Sequence, residues 1–158
     1  MTAAKRSDGP EALEQVLRSV AAAYGLTEAT VTVGTDAEGG IGGAIEGPGS
    51  EVLVADGGEV VDALQYLGAQ VVSRAEGGAR RHVSVDANGY RARREAALID
   101  LAGRAAEEAL EFGEEIELDP MTPHDRRIVH MALKDRGDIV TRSEGEEPRR
   151  RIIVEPAD

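Results

Sequence analysis

The chain has 158 residues, of which 41% are hydrophobic and 30% charged, a balance typical of a globular protein with one ordinary domain or two small ones. Its formal net charge of −12 argues against bulk electrostatic attraction to nucleic acid or to an anionic membrane. Three tyrosines and one phenylalanine are too few for rows of base-stacking side chains, and the absence of cysteine excludes disulfides and thiolate-bound metals.

The N-terminal residues contain no apolar signal-peptide core, and no apolar run approaches the roughly 18 residues of a membrane helix. We therefore expect a cytoplasmic protein.

The first half of the chain predicts a helix, two strands, a helix and a strand. Asp8 caps an amphipathic helix that Gly25 ends, and residues 30–33 and 41–45 read as strands. Residues 51–54 are ambiguous between strand and helix. Residues 59–73 predict a second helix, and residues 82–86 alternate as a strand. The apolar side of the second helix is expected to carry Val60, Leu64, Leu67 and Val71.

The second half predicts a long helix over residues 92–112 and a short strand at 115–118. Thr122 then caps a further helix, with Pro123 at its first position and Asp125 three residues past the cap. Residues 139–141 and 150–154 predict closing strands around the polar turn at 144–148. A boundary near Gly89 splits the chain into two α+β units.

Arg126 and His130 are four residues apart in the predicted helix, which places them on one face. Arginine offers a planar fork suited to phosphate, and histidine adds a ring donor. This spacing often arises by chance, and by itself it favours a solvated arginine and a partly packed histidine. The context favours anion binding, because the helix is capped, Arg127 adjoins the pair and the window 120–154 has eight basic against six acidic residues.

Three stretches between residues 82 and 156 closely resemble the C-terminal half of the bacterial Jag proteins, also called KhpB. They are "HVSVDANGYRARREAALIDLAGRAAEEAL", "ELDPMTPHDRRIVHMALKD" and "TRSEGEEPRRRIIVEP". That half ends in a small single-stranded nucleic-acid-binding domain named for an arginine and a histidine separated by three residues, the R-3-H domain. The resemblance implies RNA contacts by Arg126, Arg127 and His130, supported by Arg149, Arg150 and Arg151.

Upstream, "DALQYLGAQVVSR" at residues 62–74 is similar to the helix that follows the Gly-x-x-Gly loop in the KH domain of the same family. The matching loop is Ala55-Asp56-Gly57-Gly58, with alanine for the first glycine and an acid where the family usually has a base. We therefore expect weak RNA binding by this loop, and a short helix at residues 51–54 before it.

The resemblance implies an α+β fold of two small domains. A tail at residues 1–9 precedes a KH-like domain of order αββααβ at 10–89. An R-3-H domain of order αβαββ, with three strands and two helices, follows at 90–156. We expect no counterpart of the family's extra N-terminal domain before residue 10.

The function that the resemblance implies is non-catalytic binding of single-stranded RNA by a bacterial regulator of cell elongation and division. A small KH protein of the KhpA type is the expected partner, and no cofactor, metal or small-molecule substrate is expected. The alternative is a protein–protein adaptor whose acidic KH-like half docks a partner. Enzyme classes are disfavoured, because the three histidines, His82, His124 and His130, lack a metal-ligand spacing and no phosphate-binding glycine motif is present.

Overall fold

The computed structural model describes residues 8–157, and the chain divides between Arg91 and Ala92 into two compact units. Both units are α+β, with a small three-stranded sheet in each, as predicted. No helix within the described residues is both long and apolar enough to cross a bilayer.

The first unit has the predicted order of elements. They are α1 (Gly9–Ala23), β1 (Thr30–Thr35), β2 (Ile41–Glu46), a 3-10 segment (Ser50–Gly58), α2 (Glu59–Ala75) and β3 (Val83–Ala87). The ambiguous residues 51–54 are helical. β1 and β2 pair antiparallel, while β3 pairs parallel to β2, so that α2 lies in the crossover that a parallel pair requires.

Local sequence explains how α1 begins and which face it buries. The Asp8 carboxylate accepts the backbone N–H of Glu11 at 2.9 Å, which satisfies one of the unpaired amides of the first turn. Leu13 and Leu17 are completely buried. A Cβ at Gly43 of β2 would lie 2.6 Å from Leu17, and one at Gly68 of α2 would lie 2.7 Å from Leu13. Glycine at these two positions therefore lets α1 pack directly on the backbones of β2 and α2.

The apolar side predicted for α2 is wrong by part of a turn. The buried residues are Val61, Leu64, Gly68 and Val72, whereas Leu67 is exposed. The close contact of Gly68 with α1 explains the rotation, because it turns the Gly68 side of the helix inward and the neighbouring Leu67 outward.

The second unit contains two helices and three strands, as predicted. They are α3 (Tyr90–Phe112, whose first two residues belong to the first unit), β4 (Ile116–Glu117), α4 (Pro123–Leu133), β5 (Ile139–Glu144) and β6 (Arg151–Pro156). The strand order is β4-β6-β5, with antiparallel pairing throughout. The β5–β6 pairing runs from Ile139 opposite Pro156 to Glu144 opposite Arg151, farther than the predicted strands, because the polar ends of these strands lack apolar alternation.

The core of the second unit is made mainly from small and branched side chains. Leu98, Ala102, Ala105 and Ala109 form the buried stripe of α3, and they pack with residues of α4 and the sheet: Val129, Leu133, Ile139, Ile152 and Val154. Phe112, which extends the same sequence pattern, is exposed at the end of α3. With Ala106, which is also buried, alanine occupies four of the five buried positions of α3, and this lets the helix lie close to its neighbours.

We expect Gly68→Val to destabilise the first unit by about 1–3 kcal/mol, because the added side chain must displace a fully buried leucine. The matched control is Gly103→Val in α3, where an added Cβ would have no atom within 4 Å apart from its chain neighbours and the backbone of its own helix. That variant should keep wild-type stability. Thermal unfolding followed by tyrosine fluorescence reports the first unit, since all three tyrosines precede residue 92, and circular dichroism follows the whole chain. If Gly68→Val and wild type have equal melting temperatures, Leu13 moves aside without cost and the predicted clash is wrong.

Candidate nucleic-acid interface

Two side chains fix the start of α4. The Thr122 hydroxyl accepts the backbone N–H of Asp125 at 3.2 Å, and Pro123 occupies the first turn. Asp125 is buried and accepts two hydrogen bonds from the Arg94 guanidinium of α3, at 2.9 and 3.1 Å. The predicted cap is confirmed, and the acid of the first turn also ties α4 to α3.

Arg126 is buried, with 9% of the residue exposed, which differs from the solvated helix face that the spacing suggested. Its Nη1 donates to the Met121 carbonyl at 2.7 Å and to Glu147 at 3.3 Å, and its Nη2 donates to the other oxygen of Glu147 at 2.5 Å. The guanidinium thus joins α4 to the segment before it and to the turn between β5 and β6. The hydrogen bond from Arg126 lowers the pKa of the Glu147 carboxyl below its ordinary value.

His130 lies one turn farther along α4 and is exposed. Its Nδ1 is hydrogen-bonded to the Thr141 hydroxyl of β5 at 2.6 Å. Nε2 has no hydrogen-bond partner within residues 8–157. Arg126 and His130 therefore both contact the β5–β6 hairpin, but the arginine is enclosed by it and the histidine keeps one ring nitrogen open to solvent.

Arg127 is exposed, and its guanidinium has no ion-pair or hydrogen-bond partner in the described part of the chain. It lies at a groove of about 380 Å³ between α3 and α4, which is also lined by Ile99, His124, Ile128 and Met131. Ile99 and Met131 are among the large apolar side chains that remain exposed. The groove thus combines an apolar surface with a free cation, and the exposed acid Glu95 lines it as well.

The three hairpin arginines have different environments. Arg149 is exposed and has no side-chain partner among the described residues. Arg150 donates from Nε to the Ser143 hydroxyl at 2.7 Å, and Arg151 donates to Glu117 of β4 at 2.5 Å. Two of the three guanidinium groups therefore brace the sheet, and that of Arg149 is free.

The loop before α2 has a left-handed backbone at Asp56, Gly57 and Gly58, with φ of 56°, 75° and 85°. Ala55 has φ −57° and ψ 161°, an extended conformation that alanine adopts without strain. Asp56 is exposed, whereas Gly58 is buried beneath the Tyr90 ring, where any Cβ would collide. The Tyr90 hydroxyl donates to the Gly57 carbonyl at 2.5 Å. The loop therefore has an acidic exposed tip and a tyrosine packed against its glycine side.

The sequence reasoning did not identify Glu147, Asp125 or Tyr90 as partners of these sites. Asp125 was predicted only as a residue of the first helical turn, and its hydrogen bond to Arg94 joins residues 31 positions apart. The hydrogen bond between Arg126 and Glu147 joins residues 21 positions apart. No local spacing signals such contacts. Among residues 8–157, no group of three or more acidic or histidine side chains is arranged to hold a metal ion.

Comparison with known proteins extends these observations. The family model of the R-3-H domain matches residues 96–156. Three proteins named "RNA-binding protein KhpB" align with the chain. The one from Clostridium symbiosum is 37% identical over 110 residues, which cover 70% of this chain and 49% of that protein. The one from Lactiplantibacillus plantarum is 36% identical over 103 residues, which cover 65% of this chain and 32% of that protein. The one from Bacillus subtilis is 31% identical over 112 residues, which cover 70% of this chain and 53% of that protein.

The chain thus spans about half of these relatives' length or less. Over the region that aligns, the chain belongs to the Jag/KhpB family, and its residues 96–156 form the family's R-3-H domain.

Proposed function

We propose that this chain binds single-stranded RNA, without catalysis, through the exposed face of α4. The observation that carries the proposal is the pairing of two free donors with an apolar surface. Arg127 and His130 are exposed three residues apart, and the groove beside Arg127 exposes Ile99 and Met131. Donors suit phosphate and sugar, and an apolar groove suits an unstacked base, which are the two chemistries of single-strand recognition.

The assignment of individual contacts follows from which groups are free. Arg127, His130 and Arg149 can engage RNA without breaking a bond within the protein. Contacts from Arg126, Arg150 and Arg151 would require their bonds to Glu147, Ser143 and Glu117 to open. We therefore assign the first three to direct contact, and we assign Arg126 to positioning α4 against the hairpin.

We infer further that the first unit is a KH-like domain, an assignment that its αββααβ order and glycine loop support. Family membership and the names of the relatives, which are RNA-binding proteins, support RNA as the ligand. On the same resemblance, we propose a cytoplasmic role in cell elongation and division, with a small KH protein of the KhpA type as a partner.

Replacing Arg127 with glutamine should weaken binding of a single-stranded RNA by about 1–2 kcal/mol, because one charge-assisted phosphate contact is lost. The slope of log affinity against log salt should fall by about 0.7, the contribution of one neutralised single-strand phosphate. Fluorescence anisotropy with a labelled RNA over a range of KCl concentrations measures both quantities.

The matched control is Arg104→Gln, which removes an exposed arginine of α3 that is already paired with Asp100. It should leave affinity and slope unchanged. Arg126→Ala, in contrast, should lower the melting temperature as well as the affinity, because it leaves the Met121 carbonyl without its donor. Wild-type binding by Arg127→Gln would remove the α4 face from the RNA interface.

The ion pair between Arg126 and Glu147 predicts a pH dependence of stability. The pKa of the Glu147 carboxyl is lower in the folded protein than in the unfolded chain, where it is about 4.3. The ion pair therefore stabilises the fold fully above this unfolded-state pKa, and the stabilisation is lost as the pH falls through the folded-state pKa. The Glu147→Gln variant has no carboxyl to protonate at this position, so it should lose less stability than wild type when the pH is lowered. Thermal unfolding from pH 7 to pH values below the ordinary carboxyl range, followed by circular dichroism, measures it.

Glu146→Gln serves as the control for this experiment, since Glu146 is an adjacent exposed glutamate whose side chain has no partner in the described structure. It should retain the acid sensitivity of wild type. If Glu146→Gln and Glu147→Gln shift the acid profile equally, the effect is one of net charge and not of the ion pair.

Reversing the charge of the acidic loop should raise RNA affinity. We expect Asp56→Lys in the full chain to bind about 3- to 10-fold more tightly, because it replaces repulsion of phosphate by attraction at an exposed tip next to the N-terminus of α2. Glu38→Lys, which reverses an exposed acid in the turn between β1 and β2, is the control for net charge. An equal gain from both variants would indicate that the loop does not face RNA.

A further inference from the structure

The groove between α3 and α4 is lined by an acid, Glu95, to which the proposed phosphate contacts give no role. Glu95 is exposed and lies one helical turn before Ile99 on α3, and His124 and Arg127 line the same groove from α4. The Glu95 carboxylate has no ion-pair or hydrogen-bond partner among residues 8–157. A free anion therefore lies within a surface that is assigned to a polyanion.

The ion pair between α3 and α4 fixes where this carboxylate lies. Arg94, the residue before Glu95, donates two hydrogen bonds to Asp125 in the first turn of α4, at 2.9 and 3.1 Å. This contact holds the Glu95 turn of α3 beside the first turn of α4, which carries His124. Neither His124 nor Arg127 pairs with Glu95 in the described part of the chain, although all three line one groove. Both oxygens of the carboxylate are therefore open to a ligand.

Glu95 restricts which part of an RNA strand can enter the groove. A carboxylate only accepts hydrogen bonds, and it repels phosphate. The donors that RNA offers are the N–H groups of its bases and the 2′-hydroxyl of its ribose. Ile99 and Met131, which are 49% and 44% exposed, give the groove apolar walls that suit the flat face of a base better than a ribose. The carboxylate and the walls together therefore fit a base.

Guanine is the base whose donors match a carboxylate. Its N1–H and N2–H groups are neighbours on one edge, so each can donate to one carboxylate oxygen. Adenine and cytosine each offer an amino group beside a ring nitrogen that is an acceptor, and this nitrogen would face the second carboxylate oxygen. Uracil offers a single N–H between two carbonyl oxygens. The unpaired acceptors of these three bases would oppose the carboxylate, which gives discrimination as well as affinity.

We propose that the groove between α3 and α4 binds a guanine base of single-stranded RNA. Glu95 accepts the N1–H and N2–H groups, Ile99 and Met131 pack against the ring, and Arg127 keeps its phosphate contact. This inference rests on the proposed function, because it assigns the base specificity of the same face.

The base preference is measured by fluorescence anisotropy of the full chain with labelled oligouridines that carry one guanosine, adenosine or cytidine at the centre. The guanosine oligonucleotide should bind about 5- to 20-fold more tightly than plain oligouridine, which is the gain from one exposed bidentate contact to a base. The adenosine and cytidine oligonucleotides should bind about as tightly as oligouridine.

Two guanosine analogues test the individual hydrogen bonds. Inosine lacks the N2 amino group and should lose part of the gain. 1-Methylguanosine cannot donate from N1 and carries a methyl group on the edge that meets Glu95, so it should lose all of the gain. Neither analogue changes the charge of the RNA, so the slope of log affinity against log salt should stay the same.

The Glu95→Gln variant should change the preference and not abolish binding. Its amide presents one acceptor and one donor, which match the amino group and the N1 of adenine but not the two donors of guanine. The variant should bind the guanosine oligonucleotide about 5-fold or more weakly than wild type does, and it should bind the adenosine oligonucleotide more tightly than wild type does.

The matched control is Glu108→Gln. Glu108 is an exposed glutamate of α3 that lies outside the groove, and its side chain has no partner within the described residues. This variant makes the same change in net charge and should keep the wild-type preference for guanosine. Circular dichroism melts establish that both variants fold.

Three results would overturn the base assignment alone. One is equal affinity of wild type for all four oligonucleotides. Another is a loss of the guanosine preference in Glu108→Gln as complete as in Glu95→Gln, which would assign the effect to net charge. The third is free guanosine monophosphate that competes as strongly as the guanosine oligonucleotide, which would assign the groove to a mononucleotide. If no oligonucleotide binds at all, the proposed function itself is wrong, and the base assignment with it.

Discussion

The buried guanidinium of Arg126 is the interaction on which the second unit's surface depends. It holds the Met121 carbonyl before α4 and Glu147 in the hairpin turn, so that three segments of the chain share one cation. A buried cation that loses its partners costs several kcal/mol, which makes this arrangement a strong constraint. With Arg126 facing the hairpin, helical geometry turns Arg127 toward the groove with α3. His130 then lies beside β5, where Thr141 holds one of its ring nitrogens.

Most basic side chains of the second unit stabilise its fold. Arg142 links Glu115 and Glu155, and the hydrogen bond to Glu115 is the main cause of its raised pKa. Arg136 similarly joins Asp138 and Glu107, and Asp138 in turn has a lowered pKa. The cations that remain free are therefore few, in a chain of net charge −12. This charge distribution suppresses non-specific attraction to polyanions, and it leaves recognition to a small number of donors on α4.

The exposed groups that do not stabilise the fold differ between the two units. In the second unit it is a set of donors beside an apolar groove, which suits a nucleotide. In the first unit the glycine loop has an acid at its tip and Tyr90 over its buried glycine, while the exposed apolar residues lie on α2. The proposed function follows this difference, with RNA contact assigned to α4.

The sequence by itself determined the elements and their order, because helix starts and strand alternation are local. Asp8 and Thr122 cap α1 and α4 as their positions predict. The resemblance of Arg126 and His130, four residues apart, to the R-3-H pair indicated α4 as the candidate RNA-binding helix. Only the tertiary structure decided how α2 is turned and what surrounds Arg126. Gly68 turned Leu67 outward by fitting against Leu13, and Glu147, 21 residues away in the chain, enclosed Arg126. Periodicity states which residues share a face, but packing against distant segments determines which face meets solvent.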